Sequence, residues 1–304
     1  MNMAAAAAMT SVASGGAVAS GGAVAQGGAG APHLLADVRP EEVMRKPYAH
    51  FTRRNVVPAA TYAALEAEFP TLAMILDGRA PENNQAVRMT VKQVLNDRRI
   101  SPLWREFFEY HTSADYWRNV VRLFGDRFRQ EFPDLEAAVG RRYEDWRVMP
   151  RGFGGDADIH LDCQFVMNTP VTAVSSVKTA HVDLCDKIFS ALFYFRDARD
   201  DTAGGDLEIY RWRRSPRFIK HRTMDRDIEK VKVVGYAANA YTCFVNSERA
   251  VHAVSPRGIT EIPRRYINFI AELPIKAFQP RQLSKWQKLW YRNDVAAASQ
   301  DERY

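Results

Sequence analysis

Seven short runs of β-type residues crowd the stretch from Tyr143 to Leu273, and they limit the fold more than any other feature of the chain. DWRVM, DCQFVM, KIFSALFYF, DLEIY, VKVVGY, AYTCFVN and RRYINFIAEL are separated by Gly, Pro, Asn and Asp, residues that punctuate strands. Many short strands over one stretch predict a sandwich or barrel. With 46% hydrophobic and 26% charged residues in 304, the composition is that of an ordinary globular protein with room for one large domain or two small ones.

Upstream the period changes. Leu103, Trp104, Phe107 and Phe108, then Trp117, Val120, Val121, Phe124 and Phe128, recur at three and four and predict two amphipathic helices between Ser101 and Arg142. Ser101-Pro102 and Ser113-Ala114-Asp115 supply their N-terminal caps. Before them, YAHFTRRNVVP reads as a strand and AATYAALEAEFP as a helix carrying Tyr62, Leu65 and Phe69. Residues 279–292 return to helical spacing with Leu283, Trp286, Leu289 and Trp290, which predicts a helix packed on the barrel. The fold class is therefore α+β, mainly β. Residues 1–32 repeat Gly-Gly-Ala units and are expected to be a disordered tail. Then follow 33–142 with a strand and supporting helices, 143–278 as the strand-rich core, and 279–304 as a C-terminal helix and tail, with 33–304 expected to form one domain.

The formal charge of +6 is a modest excess that can steer an anionic partner but does not by itself indicate nucleic acid. No stretch approaches the roughly 20 apolar residues of a membrane helix. The N-terminus lacks the basic residues of a secretory signal, the first Arg being Arg39. Cys163, Cys185 and Cys243 are odd in number and lack zinc-ligand spacing, which fits a reducing cytoplasm.

Two imidazoles and one carboxylate on one face are what a non-haem Fe(II) centre needs, because the opposite positions must stay open. Residues i and i+2 of a strand point the same way, so His181-Val182-Asp183 can offer two ligands to one ion. His252 is the best candidate for the third. His160-Leu161-Asp162 has the same pattern, but only the second pair is followed by a long apolar strand and then by Gly204-Gly205. His160 is accordingly expected to be a polar strand-face residue.

From Tyr143 to Leu273 these parts come in the order HVD, KIFSALFYF, DARDDTAGGDLEIY, AYTCFVNSERAVHAV and RRYINF, and in this the chain resembles the Fe(II)/2-oxoglutarate oxygenases, closest in style to their prolyl-4-hydroxylase-like branch. The resemblance implies a double-stranded β-helix (jelly-roll, cupin-like) core and Fe(II) held by His181, Asp183 and His252. It further implies 2-oxoglutarate and O2 as co-substrates, with hydroxylation releasing succinate and CO2. Asp183 fills the place that related halogenases give to a small residue, which argues against halogenation.

The distal carboxylate of 2-oxoglutarate, buried in a barrel, needs a paired cation, and arginine pairs with carboxylate through two parallel hydrogen bonds. The resemblance puts a basic residue about ten positions past the distal histidine. Here Arg264 and Arg265 are the in-strand candidates, on opposite faces by alternation, and Arg265 is favoured because a tyrosine follows it. Gln164 and Asn168 share parity and can donate to 2-oxoglutarate or substrate, a buried and satisfied amide being the alternative. Arg257 reads as a turn residue able to reach the pocket mouth; Tyr194 and Tyr241 read as core. The run RWRRSPRFIKHR at 211–222 is either a lining of the active-site mouth that attracts phosphate or carboxylate, or a solvated basic loop. The expected partner is a small molecule, saccharide-type biosynthetic substrates and anionic ones included, with neither nucleic acid nor membrane. The rival readings are a nucleic-acid or protein hydroxylase or demethylase of the same superfamily, and a β-barrel binding protein without catalysis.

Overall fold

The structure is a computed structural model that describes residues 31–219 and 223–292. Most of the predicted tail lies outside these residues, as do Lys220, His221 and Arg222 of the basic run and the last twelve residues of the chain. Ala31, placed in that tail by the sequence, is buried in the main core, so packed chain starts slightly earlier than expected.

Among the described residues ten strands form two sheets. The large sheet takes β1 (His50–Arg54), β2 (Ala86–Met89), β3 (Val148–Pro150), β4 (Ile159–Asn168), β5 (Lys187–Tyr194), β8 (Ala240–Val245) and β10 (Arg264–Glu272). Its order is β1-β8-β5-β10-β4-β2, with β3 paired parallel to β4 and the other neighbours antiparallel. The small sheet, in the order β7-β6-β9, takes β6 (Leu207–Trp212), β7 (Ile228–Val234) and β9 (His252–Val254). AYTCFVNSERAVHAV, expected as one strand, is thus two. Chain leaving β8 in the large sheet crosses at 246–251 to enter the small one as β9.

Alternation along the large sheet separates two environments. Phe165 and Met167 of β4, Phe189 and Phe193 of β5, and Ile267 and Phe269 of β10 are buried on the outer face. They pack under α4 (Pro102–His111) and α5 (Ala114–Glu131), the two predicted helices, which accompany α1 (Ala59–Ala67), α2 (Leu72–Leu76), α3 (Val91–Asn96) and α6 (Leu135–Val139). Trp104 and Phe108 each bring their rings to 4.7 Å from Phe165, and Phe124 lies 5.6 Å from Phe189. Ser101 and Ser113 accept from Trp104 N and Tyr116 N, as their cap positions require. Gln164 and Val166 of β4, Ser190 and Leu192 of β5, and Arg264, Tyr266, Asn268 and Ile270 of β10 line a cavity that faces the small sheet, and a register shift at the start of β5 brings Lys187 to the same side. The division at 142 made on the sequence does not interrupt this sheet, since β1 and β2 are hydrogen-bonded into it.

The C-terminal helix differs from expectation. Gln282 bridges to Phe218, which keeps the approach extended, and α7 spans only Lys285–Trp290 behind a Ser284 cap. Trp286, Leu289 and Trp290 are exposed, and the segment docks instead through Leu283 and Tyr291 against Met224.

Candidate metal centre and arginine pocket

His181 and His252, 71 residues apart in sequence, stand directly opposite each other, the N–H of each donating to the carbonyl of the other at 3.0 Å. Side chains of directly opposed residues share a face, and the two imidazole centroids are 4.3 Å apart. Asp183 joins them: its Oδ1 lies 3.6 Å from His181 Nε2 and 3.9 Å from His252 Nε2. One ligand atom from each of the three residues falls within 4.8 Å of the others, the spacing of a set that can hold one metal ion.

The surroundings prepare these atoms. His181 Nδ1 lies 2.7 Å from the Thr179 carbonyl and His252 Nδ1 2.9 Å from the Ala250 carbonyl. Each Nδ1 therefore carries the proton, and each Nε2 keeps its lone pair turned to the centre. Burial, reinforced by Lys178 and His252, pushes His181 down to about 3, and burial lowers His252 as well. Burial works against ionisation of Asp183, yet contact with His181 and the fields of His252, Lys178 and Lys187 hold it well below the usual carboxylate range. The Ser190 hydroxyl donates to Asp183 Oδ2 at 2.8 Å, which leaves Oδ1 facing the imidazoles. Two neutral imidazoles and an ionised carboxylate are the donor set that a divalent cation of borderline softness takes.

The competing pair is used elsewhere. Asp162 is buried on β4 beside Gln164, where it accepts from Val91 N at the start of α3 and from Gln164 Nε2. His160 stands on the same strand, outside the metal centre.

From the triad a cavity of about 660 Å³ runs between the sheets. Of the two candidate arginines it is Arg264 that lines it. Arg264 is opposite Asn168 on β4, on the cavity face with Tyr266 and Asn268. Arg265, preferred on the sequence, turns to the outer face, where Nη2 donates to Glu66 at 2.8 Å and Nε to the Phe195 carbonyl at 3.1 Å. Alternation along β10 puts the two arginines on opposite faces, and a following tyrosine does not tell which face meets the cavity: it is that of Arg264.

Arg264 is 2% exposed, and its guanidinium lies 4.6 to 5.1 Å from the ring centres of Tyr194, Tyr236 and Tyr266. Nε donates to the Gly205 carbonyl at 2.8 Å and Nη1 to Asn168 Oδ1 at 3.3 Å. Among the described residues Arg264 Nη2 and Asn168 Nδ2 find no acceptor. A buried donor left so costs about 1–3 kcal/mol, and a carboxylate is the acceptor that a charged fork and an amide together suit. Gln164 also lines the cavity, its Nε2 held by Asp162 at 2.6 Å. Arg257, read on the sequence as a turn residue able to reach the pocket mouth, is buried beside Arg264, with Nη2 donating to Asp200 at 2.7 Å. Tyr194 faces the arginine, whereas Tyr241 meets Tyr116 on the helix side. Of the basic run, Arg211 and Arg213 pair with Glu229. Ser190 was missed on the sequence, although a serine inside KIFSALFYF at the parity of Leu192 is a signal that could have raised it.

No protein-family model matches the chain, and no curated protein matches it. Among solved structures it is similar to a prolyl-4-hydroxylase of Pseudomonas putida, with 14% identity, 74% of this chain and 92% of that chain covered, and a TM-score of 0.40. It is similar to the non-heme alpha-ketoglutarate-dependent epimerase SnoN of nogalamycin biosynthesis, with 12% identity, coverage of 83% and 94%, and a TM-score of 0.43. A third is the Arabidopsis thaliana dioxygenase for auxin oxidation in complex with 2-oxoglutarate, at 13% identity, coverage of 78% and 87%, and a TM-score of 0.40. Overlaps of this size carry no argument alone. What the chain itself offers is three converging ligand atoms beside a buried arginine with a hydrogen-bonding site to spare.

Proposed function

We propose that the protein is an Fe(II)- and 2-oxoglutarate-dependent dioxygenase that hydroxylates a small biosynthetic molecule. The observation that carries this is the convergence of His181, Asp183 and His252 with Arg264 in one cavity between two sheets. The facing sheets support reading the core as a double-stranded β-helix. Bound iron and 2-oxoglutarate would supply the oxidising power, with O2 consumed and succinate and CO2 released.

The chain's own part is binding and placement. His181 and His252 hold the metal through Nε2, their Nδ1 protons fixed by backbone carbonyls, and Asp183 holds it through Oδ1 while Ser190 occupies Oδ2. Three protein ligands leave the remaining positions open. Arg264 and Asn168 receive the distal carboxylate with the donors they have to spare, and the tyrosine rings around the guanidinium exclude water from that pair. We place the protein in the cytoplasm, a reading supported by three cysteines that stand buried as free thiols. Among the described residues no helix is long and apolar enough to cross a membrane.

Anaerobic Fe(II) titration, followed by succinate release from 2-oxoglutarate in air, tests the proposal. One metal per chain and slow succinate formation are expected. A protein that takes up no divalent metal at the triad is not such an enzyme.

A further inference from the structure

Two stretches that the metal centre does not use, 213–219 and 281–292, cover the small sheet on the side away from the cavity. Phe218 packs there with Ile228 of β7 and Ala253 of β9, whereas His252 and Val254 of the same strand line the cavity. The C-terminal segment is laid over this layer. Phe218 N donates to the Arg281 carbonyl at 3.0 Å, Leu283 N to the Phe218 carbonyl at 3.2 Å, and the Tyr291 hydroxyl to Asp227 at 3.0 Å. The Arg226 guanidinium lies 3.8 Å from the Tyr291 ring centre. The two stretches thus form one surface.

That surface joins two properties. Leu283 and Tyr291 face inward and anchor α7, which leaves Trp286, Leu289 and Trp290 outside at 81%, 65% and 82% exposure. Spaced at three and four, they share an arc of about 100° on one side of the helix. Among the described residues no other large apolar side chain is as exposed as the two tryptophans. The second property is charge. The stretches carry seven Lys and Arg and no Asp or Glu, more than the net charge of +6 on the whole chain, so the rest of the chain is slightly negative. Arg213 pairs with Glu229, whereas Arg214, Arg217, Arg281, Lys285, Lys288 and Arg292 make no ion pair among the described residues. Lys285 and Lys288 stand on the same short helix as the apolar stripe.

This combination selects the occupant. A second copy presenting the same face would bring the same cations against them, which charge repulsion opposes. A nucleic-acid strand is held in a basic groove by rings on which bases stack, and a stripe on a protruding helix with Leu289 beside its rings offers no groove. An anionic bilayer meets both properties: tryptophan rings settle at the level of the headgroups, leucine reaches the acyl boundary, and the lysines and arginines meet the lipid phosphates and carboxylates. We propose that α7 and the basic layer beneath it form a docking surface for a membrane rich in anionic lipid, with Trp286, Leu289 and Trp290 inserted into the interface. The proposal is independent of the dioxygenase reading. The expectation of no membrane partner rests on the lack of a spanning segment, which does not bear on a helix lying in the membrane surface.

The test is sedimentation of the full chain with large unilamellar vesicles, of phosphatidylcholine alone and of phosphatidylcholine with about one-third phosphatidylserine. Binding to the anionic vesicles, release by salt, a blue shift of tryptophan emission on binding and no uptake by neutral vesicles are expected. Trp286→Ser with Trp290→Ser should abolish the emission shift and weaken binding at least about tenfold. Lys285→Gln with Lys288→Gln should weaken it about thirtyfold. Both pairs are exposed, so both proteins should melt like wild type. No binding to anionic vesicles at low salt, equal binding to neutral ones, or wild-type binding by either variant overturns the proposal. Tighter binding of an oligothymidylate than of the vesicles, lost with the lysines, would assign the surface to nucleic acid instead. Self-association in sedimentation velocity, lost with the tryptophans, would assign it to a second copy, and either result also overturns the proposal.

Discussion

The carbonyl oxygen of Gly205 accepts a hydrogen bond from Arg264 Nε at 2.8 Å, and this contact ties a glycine turn to the deep end of the cavity. Both Gly204 and Gly205 hold positive φ, +86° and +77°. A Cβ on Gly204 would drive into the Pro256 carbonyl, a backbone atom that cannot step aside; one on Gly205 would stand 3.2 Å from Arg264 Cδ. Gly204→Ala should cost at least about 1–3 kcal/mol of stability, read from urea denaturation. Gly205→Ala should instead move the arginine and raise the apparent constant for 2-oxoglutarate about tenfold, roughly 1.4 kcal/mol, at unchanged metal affinity. Equal effects of both variants on stability alone would show that the turn does not position Arg264.

Arg264 and Arg265 give opposite expectations. Arg264→Ala removes a buried cation facing the cavity, and by analogy with broken buried ion pairs it should cost about 3–5 kcal/mol of co-substrate binding, two to three orders of magnitude or slightly more. Arg265→Ala loses contacts of the outer face alone, the hydrogen bond to the Phe195 carbonyl and the pairing with Glu66 at the end of α1, the latter worth about 0–1 kcal/mol as a partly exposed pair, and should leave 2-oxoglutarate binding nearly as in wild type. If titration of 2-oxoglutarate shows the reverse, the face assigned to β10 is wrong.

Metal affinity should rank the residues around the triad. His181→Ala, Asp183→Ala and His252→Ala each remove a ligand atom from the set. Ser190→Ala removes only the hydroxyl that orients Asp183 and should weaken metal binding by roughly 10–100-fold, as loss of such outer partners does. The three ligand variants should lose more than that. His160→Ala should titrate like wild type. A Ser190→Ala protein with unchanged affinity would mean that Asp183 is oriented by something else.

The strands and the two main helices were legible because each carries its period in local sequence: Phe189, Ala191 and Phe193 alternate in β5 against Ser190, Leu192 and Tyr194. The triad was legible from residue types and their order. What local pattern does not contain is the identity of the face. Alternation in β10 separates Arg264 from Arg265, but only the pairing of β10 with β4 and β5, strands about a hundred and about eighty residues upstream, tells which of them meets the cavity. The same holds for Arg88, whose position on β2 becomes part of the cavity only through its register with Val166. The exposed Trp286 and Trp290 show the limit from the other side, since helical spacing marks a stripe without showing what covers it.

His111 provides a pH signature of the core, apart from the metal centre. It sits fully buried at the end of α4, where Leu34 N donates to Nε2 at 3.2 Å and Nδ1 lies 2.7 Å from the Phe107 carbonyl. A second proton on Nε2 would displace the Leu34 N–H, and burial pushes the group down to about 3. In the unfolded chain the same imidazole titrates near 6.5. Because the folded value is the lower one, the unfolded state binds a proton that the folded state refuses. Stability is therefore lost as pH falls below about 6.5, by up to about 1.4 kcal/mol per pH unit, until the folded group itself titrates. His111→Gln should be less stable than wild type at pH 7, having lost the fitted imidazole. Its stability should then fall less steeply between pH 6.5 and pH 4.5, by up to about 1.4 kcal/mol per unit. His181 and His252 contribute equally to both proteins, so the difference in slope isolates His111. Parallel curves of unfolding free energy against pH would show that His111 is not the neutral, doubly hydrogen-bonded core histidine described.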